Sequence, residues 1–220
     1  VGEPETIDGF RQRLNLFAGG PLLDGLDMSN LVVAGGAVLA ALTLGDATDA
    51  NLSRDAARAV LRDARETTSD IDLFVVADSD AQAQAVYQRV LRHFAARIAA
   101  VQELPGRDPF TREGDPKPPF KVCKQLLVVR SAKAVTFVAG YPQRHIQLIL
   151  RRHRSVGDVI WNFDVDACQL AYDGEKVYAT PAARRALSTG IIFADPTVAC
   201  PSYELRLVKY SQRGFAVAVP

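Results

Sequence analysis

The chain has 220 residues, 48% of them apolar, with a mean hydropathy of +0.02 and a net charge of +1. That is enough for one sizeable core or one core with an appendage, and the near-zero charge gives no global case for a nucleic-acid partner. No apolar run nears the roughly 20 residues of a spanning helix and no charged-then-apolar leader opens the chain, so no membrane partner and a cytoplasmic (intracellular) location are expected.

Ile7, Phe10, Leu14 and Phe17 recur at spacings of three and four, which predicts an amphipathic helix over 7–18 closed by Gly19-Gly20-Pro21. Leu31 to Ala34 reads as a short apolar strand, Gly35-Gly36 as a turn, and Ala37 onward as a buried helix start. A polar turn at 45–49 leads into a short Arg/Asp/Ala-rich helix with Ser53 as its N-cap. Asp70 to about Ala77 reads as an apolar strand, and Asp78-Ser79-Asp80 caps a long helix to about Val101. Residues 105–119 carry Pro, Gly and charge without an apolar period, which fits either a lid or plain disorder.

Three strands follow, over 124–129, 134–139 and 144–151, the last two joined at Gly140-Tyr141-Pro142. Ser155 caps a short helix to Phe163, and 167–172 pairs with 177–178 around Asp173-Gly174. Helices over 181–188 and 203–213 close the chain. The expected class is α/β (α+β), a mixed sheet flanked by helices with an additional C-terminal hairpin and helix. One domain is expected over 1–220, with a core over about 28–150 and an extension over 151–220. The start at Val1 and the end at Pro220 suit a domain excised from a longer protein, whose other domains would be partners. Cys123, Cys168 and Cys200 are odd in number and lack a Cys-x-x-Cys spacing, so they read as buried packing residues.

The chemistry concentrates in Ser69-Asp70-Ile71-Asp72-Leu73-Phe74. Side chains at i and i+2 of a strand share a side, so Asp70 and Asp72 form a pincer while Ile71 and Leu73 face a core. Mg²⁺ (or Mn²⁺) takes one or two carboxylates and leaves its other positions to water and substrate phosphates, which fits such a pincer. The plainer alternative is two acidic residues that open a strand. Upstream, Gly35 and Gly36 let the backbone approach a ligand, and the amides of the helix they open can hold a phosphate.

Strand, Gly-Gly, helix and a second strand with Asp-x-Asp together resemble the DNA-polymerase-beta-like nucleotidyltransferases over roughly residues 28–150. The resemblance implies a nucleotidyltransferase-like mixed sheet and a metal-dependent transfer of a nucleotidyl group from a nucleoside triphosphate, ATP among them, to a hydroxyl acceptor. That acceptor is a protein, an RNA or a small molecule. It implies metal ligands at Asp70 and Asp72 and nucleotide contacts at Gly35, Gly36 and Ser69. The insertion over 45–68 departs from the family's short gap. Nearly the whole chain also resembles an uncharacterised group of large-virus and fungal proteins, some with ankyrin repeats, through Ser69 to Phe74, Phe163 to Cys168 and Pro201 to Phe215.

The resemblance also implies a third carboxylate on the strand over 145–151, where the alternation leaves Gln147 at the expected position. A neutral amide offsets less charge than Asp, so Asp164 and Asp166 are the rival third ligands, with Asp166 taken as the catalytic and metal residue beside Asp70 and Asp72. Arg144, His145, Arg151, Arg152, His153 and Arg154 cluster on the same strand and suit a triphosphate or a nucleic-acid backbone, Arg151 foremost. A charged edge strand is the plainer reading of that cluster. Lys121, Lys124 and Lys133 are further phosphate candidates. Two other functions remain open: a catalytically inactive domain of the same fold, favoured by Gln147, and an RNA-binding module acting through 144–154.

Overall fold

A computed structural model describes residues 6–44, 69–102, 127–139, 143–198 and 200–219. The predicted segment with Ser53, the 105–119 loop, the Gly140-Tyr141-Pro142 turn, Cys123, Lys121 and Lys124 lie outside the described residues. Helix α1 (Ile7–Ala18) is capped by the Thr6 hydroxyl and ends on Gly19 in the left-handed region at φ 77°. Strand β1 (Leu31–Ala34) feeds through Gly35 into α2 (Gly36–Thr43), and β2 (Ile71–Val76) precedes the long helix α3 (Asp80–Gln102). Ser79 accepts from the Gln82 amide at 3.2 Å at the start of α3, as its sequence predicts. Then come β3 (Leu127–Arg130), β4 (Ala134–Val138), β5 (Ile146–His153) and the one-turn helix α4 (Val156–Ile160) capped by Ser155.

The C-terminal third supplies β6 (Leu170–Tyr172), β7 (Val177–Ala179), α5 (Pro181–Thr189), β8 (Ile191–Phe193), α6 (Tyr203–Gln212) and β9 (Ala216–Ala218). Seven strands form one mixed sheet in the order β3-β4-β5-β2-β1-β6-β7, in which β2 and β5 run parallel and all other neighbours antiparallel. The predicted C-terminal hairpin is therefore a direct continuation of the sheet, joined to β1 through β6. The small parallel pair β8-β9 has no sequence expectation, because three-residue strands are too short to show a period.

The sheet's two faces are covered unequally. Ile71, Leu73, Val75, Leu31 and Val33 belong to a large core with Phe10, Leu14 and Phe17 of α1, Val38 of α2 and Val86, Val90 and Phe94 of α3. The opposite face, which carries Asp72 and Phe74, holds only a small cluster of Val32, Ala34 and Ala171 beneath Val159 and Ile160 of α4. Burial along β2 alternates strictly, with each buried residue followed by a half-buried one. Alternation therefore sends the carboxylates to the thinly covered face. None of the described helices is long and apolar enough to cross a membrane.

Candidate functional site

Pairing places the carboxylates. In the antiparallel β1-β2 ladder Asp72 stands opposite Ala34, the residue before Gly35, and in the parallel β2-β5 ladder it stands beside Gln147. The Gly-Gly turn and Gln147 thus flank Asp72 from its two neighbouring strands. A cavity of about 460 Å³ opens there, lined by Gly36, Ser69, Asp70, Asp72 and Gln147 from the sheet side. Its far wall is Asn162, Phe163 and Asp164 after α4, together with Cys200 before α6, Arg206, Lys209 and Tyr210 on it and Arg213 at its C-terminal end.

Burial disfavours the charged form of both carboxylates. Asp72 is pushed up to about 6, first by burial and then by the charge of Asp70, with Lys209 opposing. Asp70 is also raised by burial, with His145, Gln147, Lys209 and Arg144 pulling the other way. The Gln147 amide donates to Asp70 Oδ2. Gln147 therefore occupies the place expected of a third carboxylate and contributes a hydrogen bond, not a charge. Among the described residues no group of three or more His, Cys, Asp or Glu is gathered as a metal cluster. Two carboxylates with one amide oxygen still fit Mg²⁺ or Mn²⁺, which keep several waters and take the rest of their shell from phosphates.

The two rival carboxylates separate. Asp164 reaches the pocket and is gripped by Arg206, whose Nε donates to Oδ1 at 3.0 Å and whose Nη2 donates to Oδ2. Asp166 is not brought to Asp70 and Asp72. Its segment is a 3₁₀ turn, Asp166–Cys168, not a strand, so the alternation that would have aligned Asp164 with Asp166 is absent. Asp166 is 6% exposed, pairs with Arg185 Nη2 at 2.7 Å and accepts from the Ala167 and Phe193 amides. It pins α5 and β8 to the 3₁₀ turn.

Arg151 is likewise outside this pocket. A bulge interrupts the β2-β5 ladder: Phe74 pairs with Ile149 but Val75 pairs with Arg152, which leaves Leu150 and Arg151 as extra residues and breaks the alternation that linked Arg151 to Gln147. The rest of the basic cluster also divides. Arg144 is 3% exposed, donates to the Phe17 and Ser69 carbonyls and lies over the Phe17 ring. His145 Nδ1 accepts from the Ala139 amide, Arg152 pairs with Asp80, and His153 is buried against Phe74. Lys133 is exposed.

Gly35 and Gly36 join β1 to α2, and a side chain on either would press on a neighbour. Gly35 has φ 80°, and a Cβ on it would lie 2.7 Å from Phe163 Cε1. A Cβ on Gly36 would lie 2.9 Å from the Tyr210 hydroxyl. Ser69 accepts from Arg213 Nη2 at 2.8 Å. The α6 residues have no counterpart among the sequence candidates, although Arg206, Lys209, Tyr210 and Arg213 at i, i+3, i+4 and i+7 share one helical face. The cysteines divide too: Cys168 is buried and pushed up to about 12, whereas Cys200 is exposed and lowered by the Ser202 amide and then by Arg206.

The sequence model of the Gabija anti-defense 2 family matches residues 8–190. The chain belongs to this family. The Gabija anti-defense 2 match spans α1 through α5 and so takes in Gly35, Gly36, Asp70, Asp72 and Gln147. An uncharacterized protein of Acanthamoeba polyphaga mimivirus is 25% identical over 215 residues, 98% of this chain and 41% of the relative, in line with the large-virus likeness. The chain thus spans about two fifths of that relative's length. Among solved structures, a tRNA-processing enzyme in an apo form is similar with a TM-score of 0.46 at 13% identity, covering 99% of this chain and 45% of that one. A CCA-adding enzyme in complex with CTP is similar with a TM-score of 0.43 at 16% identity, covering 99% and 40%.

Proposed function

We propose that this Gabija anti-defense 2 family member is a nucleotidyltransferase domain that uses Asp70 and Asp72 to hold Mg²⁺ or Mn²⁺ and moves a nucleotidyl group from a nucleoside triphosphate to a hydroxyl acceptor. The observation that carries the reading is the meeting of a buried carboxylate pair with the Gly35-Gly36 turn at one cavity. The divalent ion, when bound, would neutralise the pair and the phosphates together.

The chain's own residues supply positioning and charge. Asp70 and Asp72 provide the carboxylates and Gln147 orients Asp70. Lys209 and Arg213, on the pocket wall, suit the non-bridging phosphate oxygens, and Ser69 is held in place by Arg213. Gly36 opens α2 beside the Tyr210 hydroxyl, at the helix end where amide groups favour an anion. Asp164, paired with Arg206, completes the acidic lining without adding a free charge. The family's description supplies the setting, an activity directed against Gabija.

Calorimetry with ATP and Mg²⁺, followed by incubation with labelled nucleoside triphosphates, tests this. Wild type binds and labels an acceptor, while Asp70→Asn and Asp72→Asn do neither. Equal, negligible binding by all three would sink the reading.

A second reading, an inactive binding domain of the same fold, is favoured by Gln147, because the amide leaves two carboxylates where three are expected. Nucleotide binding without transfer in the same assay selects it.

A further inference from the structure

We propose that the surface beside the carboxylate pocket is a track for a single-stranded nucleic acid, with Trp161 stacking on one base and Arg151 and Arg154 holding phosphates behind it. The proposal takes its direction from the nucleotidyl-transfer reading, for which this strand would be the acceptor.

A second cavity, of about 590 Å³, lies at the junction of β5 and α4 and is lined by Arg151, Arg152, Arg154, Ser155 and Asp158. Arg152 is committed to Asp80 at 2.9 Å and to the Ala77 carbonyl at 3.0 Å. The Arg151 and Arg154 guanidinium groups have no hydrogen bond or ion pair among the described residues. Asp158 is spent locally: it accepts from the Arg154 backbone amide at 3.1 Å and lies 3.3 Å from His153 Nδ1. Arg151 acts through its charge on Asp158, but one carboxylate shared with His153 leaves the two guanidiniums in excess, which suits an external anion, and their planar forks match phosphate.

Trp161 is the chain's one tryptophan, and 64% of it is exposed. An indole left in water forgoes a large burial gain, so its place matters. A Cβ on Gly157 would stand 3.6 Å from Ser155 Oγ and 4.0 Å from Trp161 Cδ1. Trp161 keeps helical backbone, its amide donates to the Gly157 carbonyl, and it follows the cavity-lining Asp158 by three residues, so the indole stands one helical turn from the arginine-lined cavity. The next three residues, Asn162, Phe163 and Asp164, line the carboxylate pocket. The arginine-lined cavity, the exposed indole and the rim of the carboxylate pocket therefore follow one another along the chain from Arg151 to Asp164, the helical stretch from Ser155 to Trp161 rising about 9 Å.

Stacking on an indole needs a base with a free face, and phosphates behind it need the guanidiniums, a combination that single strands offer. A duplex hides its base faces. An acidic peptide satisfies the arginines and leaves the indole bare.

The test titrates the 220-residue chain with a labelled 12-nucleotide single-stranded RNA, and with its DNA counterpart. Because the chain has one tryptophan, quenching of its emission reports stacking directly in the unaltered protein. The expected result is quenching by single strands. Arg151→Ala with Arg154→Ala weakens binding at least ten-fold and reduces the slope of log K against log salt by about 1.4, the value for two phosphates. Trp161→Ala weakens it by roughly ten-fold or more.

Unchanged emission, or affinity and salt slope unaffected by the double substitution, overturns the proposal. So does equal binding of duplex RNA or of polyglutamate. Asp70→Asn with Asp72→Asn separates the two readings: retained strand binding without transfer keeps this track whether or not the transferase survives, whereas transfer by wild type without strand binding removes the track alone.

Discussion

Asp72 is the residue on which both chemistry and stability turn. Its carboxyl ordinarily titrates near 3.8, and in the fold it is pushed up to about 6. Below pH 3.8 the proton is present in folded and unfolded chains alike. Between those values only the folded chain keeps it, so this group's contribution falls as pH rises through the window and stays low above it. The loss is on the order of 1–3 kcal/mol in the metal-free protein. Urea unfolding at pH 5 and pH 7.5 should therefore show Asp72→Asn gaining on wild type at the higher pH; an equal difference at both would refute the assignment. Gln147→Asp should raise Mg²⁺ affinity ten-fold or more in calorimetry while destabilising the metal-free fold, since it adds a third carboxylate beside two underneutralised ones. Gly35→Ala meets both a positive φ and the Phe163 ring and should lose about 2–4 kcal/mol by chemical denaturation.

At the scale of elements, α6 is the wall that turns a sheet surface into a pocket. It is fastened by Arg206 on Asp164, by Arg213 on Ser69 and by Tyr210, 4% exposed, which is seated over Gly36 and raised by burial. Arg206→Ala leaves the Asp164 carboxylate, whose side chain is 14% exposed, without its partner. A loss of about 1–3 kcal/mol and faster amide exchange across Tyr203–Gln212 are expected, with Arg206→Lys recovering only part because lysine cannot donate two parallel hydrogen bonds. Exchange rates in α6 that match wild type would show that other contacts hold the helix.

At the scale of the molecule, the hydrophobic pattern made most of the sheet readable. Leu73 and Leu148 fall in period-two runs and Phe10, Leu14 and Phe17 in a helical one, because those elements bury one face, while Val33 lies in a wholly apolar run that is buried on both. The Asp70-x-Asp72 pair and Gln147 were legible for the same reason. Asp166 and Arg151 were not, because a 3₁₀ turn and a bulge break the alternation and neither carries a composition signal. Lys209, Tyr210 and Arg213 come to the pocket from about 140 residues away, a contact that only tertiary packing creates. Binding of Mg²⁺ and a nucleoside triphosphate at a hundred times its dissociation constant should stabilise the fold by about 2.7 kcal/mol, a rise of roughly 5–10 °C in Tm by calorimetric scanning. Asp70→Asn with Asp72→Asn should show no such rise.

The pairing of Asp72 with Ala34 on one side and Gln147 on the other also limits how this domain can vary. Were β2 to slide by one residue, Asp70 and Asp72 would enter the large core while Ile71, Leu73 and Val75 emerged into the pocket. Folding correctly and presenting the carboxylates are thus one event. A single-residue insertion or deletion within Ile71–Val76 should leave no soluble but inactive intermediate, so lineages can lose the acidic site by substitution while the strand's length stays fixed.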